Sequence, residues 1–273
     1  MAVTLKTSAN EPFPSWLAQL TGLNDWPNMD PPYIAMDNLV GFDKIPDIPT
    51  RSLNDDCSNE DIGFCSFTCN NCVLAQDIVS CPVISQTFDD GPSPFYTMDL
   101  LNGLSPGQKT TFFVQGINVV NYGDVIRETR NRGHLIASHT WSHKDLPQLS
   151  NREVISQIQW SIWAINATLG VVPRYFRPPY GAIDNRIRAI VEMFGLRTVL
   201  WDYDTLDWMV NVGERSQEQT ITDFERWKRS ASRGLILEHD IGGPSVQIGI
   251  TLSQQLGNNQ LTVAECIGEP WYQ

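Results

Sequence analysis

The sequence has little positive charge. Lys and Arg number 19 against 31 Asp and Glu, which gives a net charge of −12 at pH 7. Nucleic acids and anionic membranes bind basic surfaces, so this balance argues against both as partners. It is compatible with a neutral or cationic ligand, and also with an acidic surface that is only solvated.

Long apolar runs are missing as well. No stretch is long enough to span a bilayer, so no membrane insertion is expected. The first ten residues are polar and lack the apolar centre of a signal peptide. Hydrophobic residues still make up 41% of the 273 residues and charged residues 18%, a composition typical of a globular protein with a large core.

Four cysteines lie close together in a stretch rich in Asn, Asp and Ser: Cys57, Cys65, Cys69 and Cys72. In an extracellular protein such a cluster indicates a loop stapled by disulfides. The alternative is a zinc site with four thiolate ligands, because Cys69 and Cys72 have the usual spacing of a zinc knuckle. A second pair with that spacing is missing, which favours disulfides.

The other two cysteines, Cys81 and Cys266, flank the remainder of the chain. A bond between them would join the chain ahead of the first predicted strand to its last element, although six cysteines allow 15 pairings. If the disulfides form, the protein is secreted and its targeting segment has been removed ahead of Met1. The glycosylation sequon that begins at Asn166 adds weak support for secretion.

Residues 1 to about 80 contain many prolines and no sustained helix or strand pattern. An irregular segment of this length is uncommon within a compact domain. Its apolar residues, among them Phe13, Leu17 and Trp26, are too many for a disordered tail. We therefore expect an irregular extension over 1–80 that wraps a domain spanning 81–273 and is stapled by its cysteines.

From Cys81 onward, short β-prone runs alternate with longer helical patterns. Seven runs are predicted as strands: 83–88, 110–114, 135–138, 175–176, 197–200, 235–237 and 261–263. Helices are predicted from a capping box at Ser150 to Gly170, from Asp184 or Asn185 to Gly195, and over 220–230. About seven strand–helix units predict an α/β fold, a distorted barrel of seven or eight β/α units with parallel strands inside.

Ionisable residues follow most of these strands. Asp89 and Asp90 come after the first, His139 after the third, Arg177 after the fourth, the segment with Asp207 after the fifth, and His239 after the sixth. The carboxyl ends of parallel strands meet on one face of a barrel, where barrel enzymes place their active sites. These side chains are therefore expected to converge.

Two adjacent carboxylates and two histidines four residues apart suit a metal-dependent hydrolase. One carboxylate and two imidazoles can hold a divalent cation with positions open for water, and the second carboxylate can act as a base. Each motif alone has a simpler explanation, because Asp89-Asp90-Gly91-Pro92 is turn-forming and His139 and His143 could be polar residues at a helix start. Their common face favours the metal. His134 is predicted to be a core or edge residue without a role.

Two further segments have both a structural and a functional interpretation. Arg177 precedes two prolines that stiffen its loop; the loop could merely end a strand, or it could aim Arg177 at a carboxylate and the Tyr180 N–H at an oxyanion. Asp207 could be a solvated carboxylate, or it could face His239 and hold it protonated, since a nearby negative charge raises a histidine pKa.

Five motifs resemble, in sequence order, those of the polysaccharide deacetylases, the NodB-homology or family 4 carbohydrate esterases. They are Thr-Phe-Asp-Asp-Gly-Pro from Thr87, His-Thr-x-x-His from His139, Arg-Pro-Pro-Tyr-Gly from Arg177, Asp-Trp at Asp207 and Leu-x-His ending at His239. They cover roughly 81–266. Segments beginning at Glu11 and Asp30, with the cysteine cluster, resemble the yeast-type chitin deacetylases of the spore wall.

The resemblance implies an enzyme that removes N-acetyl groups from chitin, the β-1,4-linked N-acetylglucosamine polymer, and gives chitosan and acetate during fungal cell or spore wall maturation. It implies a secreted protein, which we expect to be a monomer. The implied metal ligands are Asp90, His139 and His143, and the implied metal is zinc, which cobalt could replace.

The resemblance also assigns roles to the remaining site residues. Asp89 would be the base, positioned by Arg177; His239, supported by Asp207, would be the acid; the Tyr180 N–H would bind the oxyanion. Trp208 and Leu237 would form the acetyl pocket. Trp141, Tyr180 and Tyr203 are candidates for stacking on sugar rings, with core packing expected for at least one of them.

Two alternatives belong to other classes. One is a cell-wall binding protein that keeps the fold without catalysis, which the complete set of competent residues disfavours. The other is an iron oxygenase that uses two histidines and one carboxylate, in which His239 and Asp207 would have no evident task.

Overall fold

The structure is a computed structural model that describes residues 10–36, 39, 41–52, 57 and 61–273. Within these residues the strands are β1 (Ile84–Asp89), β2 (Thr111–Val114), β3 (Leu135–Ser138), β4 (Tyr175–Phe176), β5 (Arg197–Thr198), β6 (Tyr203–Asp204) and β7 (Gly234–His239). The helices are α1 (Ser15–Thr21), α2 (Phe67–Asn70), α3 (Tyr96–Gly103), α4 (Gly116–Asn121), α5 (Gly123–Asn131), α6 (Asn151–Leu169), α7 (Asn185–Met193), α8 (Asp207–Asn211), α9 (Gln217–Ser230), α10 (Gly243–Leu256) and α11 (Val263–Ile267). None of them is long and apolar enough to cross a bilayer.

The strands form one parallel sheet in the order β5-β4-β3-β2-β1-β7-β6. Its two edge strands, β5 and β6, come from one short tract of chain, and the five positions from Thr198 to Tyr203 can span at most about 18 Å. Seven flat strands would separate the edges by about 29 Å. The sheet is therefore curled into a partial barrel with helices outside, which confirms the predicted α/β fold class.

Six of the seven predicted strands are present, and the prediction for 261–263 is wrong. Thr262 instead caps α11 in a capping box with Glu265, whose backbone N–H donates to Thr262 Oγ1 at 3.3 Å. The sequence interpretation also missed β6, in which Tyr203 pairs with Ile236 of β7. A strand of two residues is too short to show the alternation that reveals strands.

The predicted helices are present with small shifts. Ser150 caps α6 in a capping box, and Gly170 ends the helix in the left-handed conformation with φ 67°. Asp184 caps α7, and α9 begins before the predicted position 220 because Ser216 caps it. Helix α1 was not predicted; it places the fully buried Leu17 in the core beneath α4 and α6.

The six cysteines form the bonds Cys57–Cys69, Cys65–Cys72 and Cys81–Cys266. The thiolate zinc site considered for Cys69 and Cys72 is therefore excluded, because both sulfurs are in disulfides. The described part of the early chain contacts the sheet. The backbone N–H of Ile78 donates to Thr198 O at 2.9 Å, so the chain at Ile78 lies along the outer edge of β5. The division of the chain near residue 80 stays a prediction.

The bond between Cys81 and Cys266 is expected to stabilise the protein strongly, because it closes a loop with a sequence separation of 185. In the chain-entropy model, replacing both cysteines by serine should lower the free energy of unfolding by about 5 kcal/mol. The matched control removes Cys57–Cys69, whose separation is only 12, and should cost about 3 kcal/mol. Urea unfolding without reductant measures both, and a smaller loss for the long loop than for the short one would contradict the expectation.

Candidate active site

Three side chains with metal-binding atoms meet at the carboxyl ends of β1 and β3. Asp90 Oδ1 lies 3.0 Å from His143 Nε2 and 3.4 Å from His139 Nε2. One ligand atom from each of the three residues lies within 4.8 Å of the others, so the cluster can hold a metal ion. Asp90 and His143 have φ values of 81° and 60°. Such strained backbone at a site is retained only where the surroundings enforce it.

Hydrogen bonds orient these ligands. His139 Nδ1 lies 2.8 Å from the carbonyl oxygen of Arg177, which accepts its proton and leaves the Nε2 lone pair facing Asp90. Gln115 Nε2 donates to Asp90 Oδ1 at 3.2 Å, and Asn118 Nδ2 donates to the Asp90 carbonyl at 2.9 Å. Burial acts to raise the pKa of Asp90, but the two histidines hold that pKa well below its usual value. The carboxylate is therefore ionised and available to a cation.

Asp89 forms a buried pair with Arg177. The two residues are 3% and 0% exposed, and Arg177 Nη1 donates to Asp89 Oδ1 at 2.8 Å. The same nitrogen donates to Thr87 Oγ1 at 2.7 Å, as expected for Thr87 and Asp89 on one face of β1. Burial lowers the pKa of Arg177 and the Asp89 charge raises it. Asp89 Oδ2 lies 3.9 Å from His139 Nε2, which places Asp89 beside the three ligands.

A second pair joins the buried Asp207 to the partly buried His239. Asp207 Oδ1 accepts from His239 Nδ1 at 2.7 Å, and Asp207 Oδ2 accepts from the His239 backbone N–H at 2.8 Å. Burial would lower the pKa of His239, but the Asp207 carboxylate outweighs it and raises that pKa to about 10. His239 is therefore protonated at neutral pH, and its Nε2 is the ring nitrogen left for a ligand.

The three ligands, Asp89 and His239 line one cavity of about 450 Å³, whereas the fully buried Arg177 and Asp207 do not line it and lie behind Asp89 and His239. Eight of the predicted site residues line it: Asp89, Asp90, His139, His143, Tyr180, Trp208, Leu237 and His239. Tyr180 lies at its rim with φ 59° and 63% exposure, and its ring centroid is 4.5 Å from that of His143. A metal-competent cluster, a buried carboxylate and a protonated imidazole thus share one space, an arrangement suited to the hydrolysis of an amide or ester.

Residues 76–199 match the model of the family described as polysaccharide deacetylase. Chitin deacetylases 1 and 2 of Saccharomyces cerevisiae are 50% and 44% identical to this chain over 96% of its length, and the alignments cover 85% and 83% of theirs. The chain belongs to the polysaccharide deacetylase family. The solved chitin deacetylase of Colletotrichum lindemuthianum is 29% identical with a TM-score of 0.61, and it covers 74% of this chain and 97% of its own. The family predicted from the five motifs is confirmed.

In this polysaccharide deacetylase two predicted stacking residues lie outside the cavity. Trp141 is 0% exposed, its Nε1 donates to Asn28 O at 2.7 Å, and its ring packs on Trp26. The prediction that it stacks on sugar rings is therefore wrong. The ring of Tyr203 stacks on Trp227 with centroids 4.9 Å apart, and it does not line the cavity. Successive strand residues face opposite sides, so β6 turns Asp204 inward and Tyr203 outward.

Five further residues line the cavity of this deacetylase: Pro178 and Gly181 belong to the motif that begins at Arg177, and Trp201, Asp204 and Leu206 were missed by the sequence interpretation. Asp204 Oδ1 accepts from the backbone N–H of Leu206 at 2.8 Å, and burial raises its pKa. Leu206 has φ 53° and immediately precedes Asp207. The acidic segment from Asp202 to Asp207 indicated that carboxylates of this segment belong to the site. Which of them face the cavity depends on β6, which was not predicted.

His134 is the contrast among the histidines. It is 3% exposed, and its ring packs against Phe112 with centroids 5.3 Å apart. Burial lowers its pKa to about 4, so it is neutral. It is a core residue, as the sequence suggested.

Proposed function

We propose that this protein is a secreted chitin deacetylase that hydrolyses the N-acetyl groups of chitin and releases acetate, in the fungal cell or spore wall. The observation that carries the proposal is that the Asp90–His139–His143 cluster, Asp89 and His239 line one cavity, with Arg177 bonded to Asp89 and Asp207 bonded to His239 behind its wall. The names of the two yeast relatives support chitin as the substrate. The three disulfides suit an extracellular protein.

Asp90, His139 and His143 would hold a divalent cation, and zinc suits one carboxylate oxygen and two imidazole nitrogens with further positions open. When bound, such an ion lowers the pKa of its water and polarises a carbonyl oxygen. Asp89 would accept the proton of the attacking water as its oxygen bonds to the acetamide carbon. Arg177 Nη1 donates to Asp89 Oδ1 and so fixes the direction of that carboxylate. The Tyr180 backbone N–H, on the stiff loop after Pro178 and Pro179, would stabilise the oxyanion.

His239 would complete the reaction as the acid. The C–N bond breaks, the sugar nitrogen takes the proton from His239 Nε2, and the acetyl group leaves as acetate. Trp208 and Leu237 would contact the acetyl methyl group, and the exposed ring of Tyr180 is available to a sugar face. The monomeric state, the cobalt substitution and glycosylation at Asn166 stay predictions.

Metal removal tests the proposal. Dialysis against a chelator is expected to lower acetate release from chitin oligomers by at least about a thousandfold, because attack by unactivated water is slow. Added zinc or cobalt should restore it. Metal content is measured on the same samples, with peptidoglycan and acetylxylan as comparison substrates. Full activity in metal-free protein would contradict the proposal.

The two alternatives differ in their products. A non-catalytic binder would retain chitin without releasing acetate. An iron oxygenase would consume oxygen when Fe(II) is added, and in that reaction the Asp207–His239 pair would have no task. Acetate assays with oxygen measurements separate all three.

A further inference from the structure

A short segment of the early chain, residues 28–32, lies directly against the loop that carries the two metal-binding histidines. Trp141 and Ser142 stand between His139 and His143. Trp141 Nε1 donates to the carbonyl oxygen of Asn28 at 2.7 Å, and Ser142 Oγ donates to that of Met29 at 2.5 Å. Two of the three side chains between the histidines are thus bonded to segment 28–32.

The same segment is anchored to α6, which gives it a fixed position. Trp160 Nε1 donates to the carbonyl oxygen of Pro32 at 2.9 Å, and Gln157 Nε2 donates to that of Met29 at 3.3 Å. Gln157 Oε1 also accepts from the backbone N–H of Ser142 at 3.0 Å. The loop, the segment and the helix therefore form one hydrogen-bonded unit.

The loop has a conformation that needs such support. Thr140 has φ 67° and His143 has φ 60°, both in the left-handed region that residues with a side chain adopt at a cost of free energy. From the barrel side, the N–H groups of Gly116 and Ile117 donate to the carbonyls of Thr140 and Trp141. From the opposite side, carbonyls of segment 28–32 accept from Trp141 Nε1 and Ser142 Oγ.

We propose that segment 28–32 is a positioning element of the metal centre: it holds the loop so that both imidazoles face Asp90, and metal affinity depends on it. The inference rests on the proposed function only in that the metal binds to Asp90, His139 and His143. The alignments with the two yeast relatives cover 96% of this chain. They therefore include most of the first 80 residues, so the relatives have a matching early segment.

Trp160 offers a matched control for Trp141. Both indoles are 0% exposed, and each donates its N–H to a carbonyl of the same segment. Trp141→Phe and Trp160→Phe therefore remove the same group from comparable surroundings. Only Trp141 belongs to the histidine loop. Trp160 bonds to Pro32 at the far end of the segment, and in W160F the bond from Gln157 to Met29 still anchors the segment beside the loop, so W160F should change metal affinity much less than W141F.

The test measures the zinc Kd of the full-length protein by competition with a chromophoric chelator, together with Tm of the metal-free forms. W141F combined with Ser142→Ala is expected to raise Kd by about 10- to 100-fold, the range found when partners of metal ligands are removed. W160F should leave Kd within about threefold of the unsubstituted protein. If the double variant does not fold, W141F alone decides the matter, because it removes only the bond to Asn28 and leaves the bonds between Ser142 and Gln157 in place; the expected rise in Kd is about tenfold.

Three results would overturn the inference. Equal Kd changes in W141F/S142A and W160F would show that the segment acts only on overall stability. An unchanged Kd in W141F/S142A, or in W141F where that variant decides, would show that the loop holds its conformation without the segment. If the unsubstituted protein binds no more zinc than His143→Ala, the proposed function fails and the inference fails with it, which distinguishes that failure from the first two.

Discussion

Asp89→Asn is expected to lower turnover on chitin oligomers by about 100- to 10,000-fold while the protein still binds its metal. The amide cannot accept the proton of the attacking water, and general base catalysis contributes a factor of that size. Metal affinity should change little, because Asp89 Oδ1 is bonded to Arg177 and Asp89 lies outside the cluster of three ligands. Steady-state acetate release with metal content measured on the same samples gives both quantities.

Asp90→Asn is the matched control, because it makes the same chemical change at the neighbouring position. It should lose most of its metal affinity together with its activity, since Asp90 Oδ1 faces both histidines. Metal loss in Asp89→Asn with retention in Asp90→Asn would mean that the two aspartates have exchanged roles. Asp89→Asn also leaves the buried Arg177 charge without its anion, which costs about 3 to 5 kcal/mol when a buried pair is broken. The assays should therefore be run at a temperature well below the Tm of Asp89→Asn.

Asp207→Asn is expected to reduce kcat by about 100- to 10,000-fold at pH 8, because His239 then loses the proton that it should donate. In the unsubstituted protein Asp207 raises the pKa of His239 to about 10 against the opposing effect of burial. Without that carboxylate the pKa falls, so the alkaline limb of the kcat profile should move to lower pH. The loss should be smaller at pH 6 than at pH 8. Identical alkaline limbs in both proteins would contradict the assignment of His239 as the acid.

The control is Asp204→Asn, which removes a carboxylate from the same cavity without breaking a bond to His239. Its effect on the alkaline limb should be much smaller.

The pH dependence of the free energy of unfolding gives a second measurement of the Asp207–His239 pair, and its sign is defined. The folded-state pKa of His239 is raised above its ordinary value of about 6.5, so the stabilisation from this pair is complete below pH 6.5 and is lost as pH rises through about 10. The difference in the free energy of unfolding between the unsubstituted protein and Asp207→Asn should therefore become smaller as the pH rises toward about 10.

Much of the site could be predicted because its residues stand at regular places. Asp89, His139, Arg177 and His239 each lie at or just after the carboxyl end of a parallel strand, and the curled sheet brings those ends together. Local signals also fixed α6, since a capping box and a left-handed glycine specify both its ends.

The errors came from features that depend on distant contacts. Trp141 lies between the two histidines of the candidate metal site, but its side chain is buried away from the cavity, where its indole N–H donates to the carbonyl oxygen of Asn28 in the early chain. Tyr203 and Asp204 could not be assigned to faces until β6 was placed beside β7. The pairing of the four clustered cysteines depends on which sulfurs the folded chain brings together, and spacing alone does not determine it.

The bond between Cys81 and Cys266 has a consequence for resistance to proteolysis. Every residue assigned to the reaction, from Asp89 to His239, lies within the ring of chain that this bond closes. If an extracellular protease cuts one peptide bond in an exposed loop of that ring, such as the loop around Gly213, the two pieces remain covalently joined through the sulfurs. A cut chain can therefore keep its pieces together, packed around the same cavity, whereas an open chain would be free to separate.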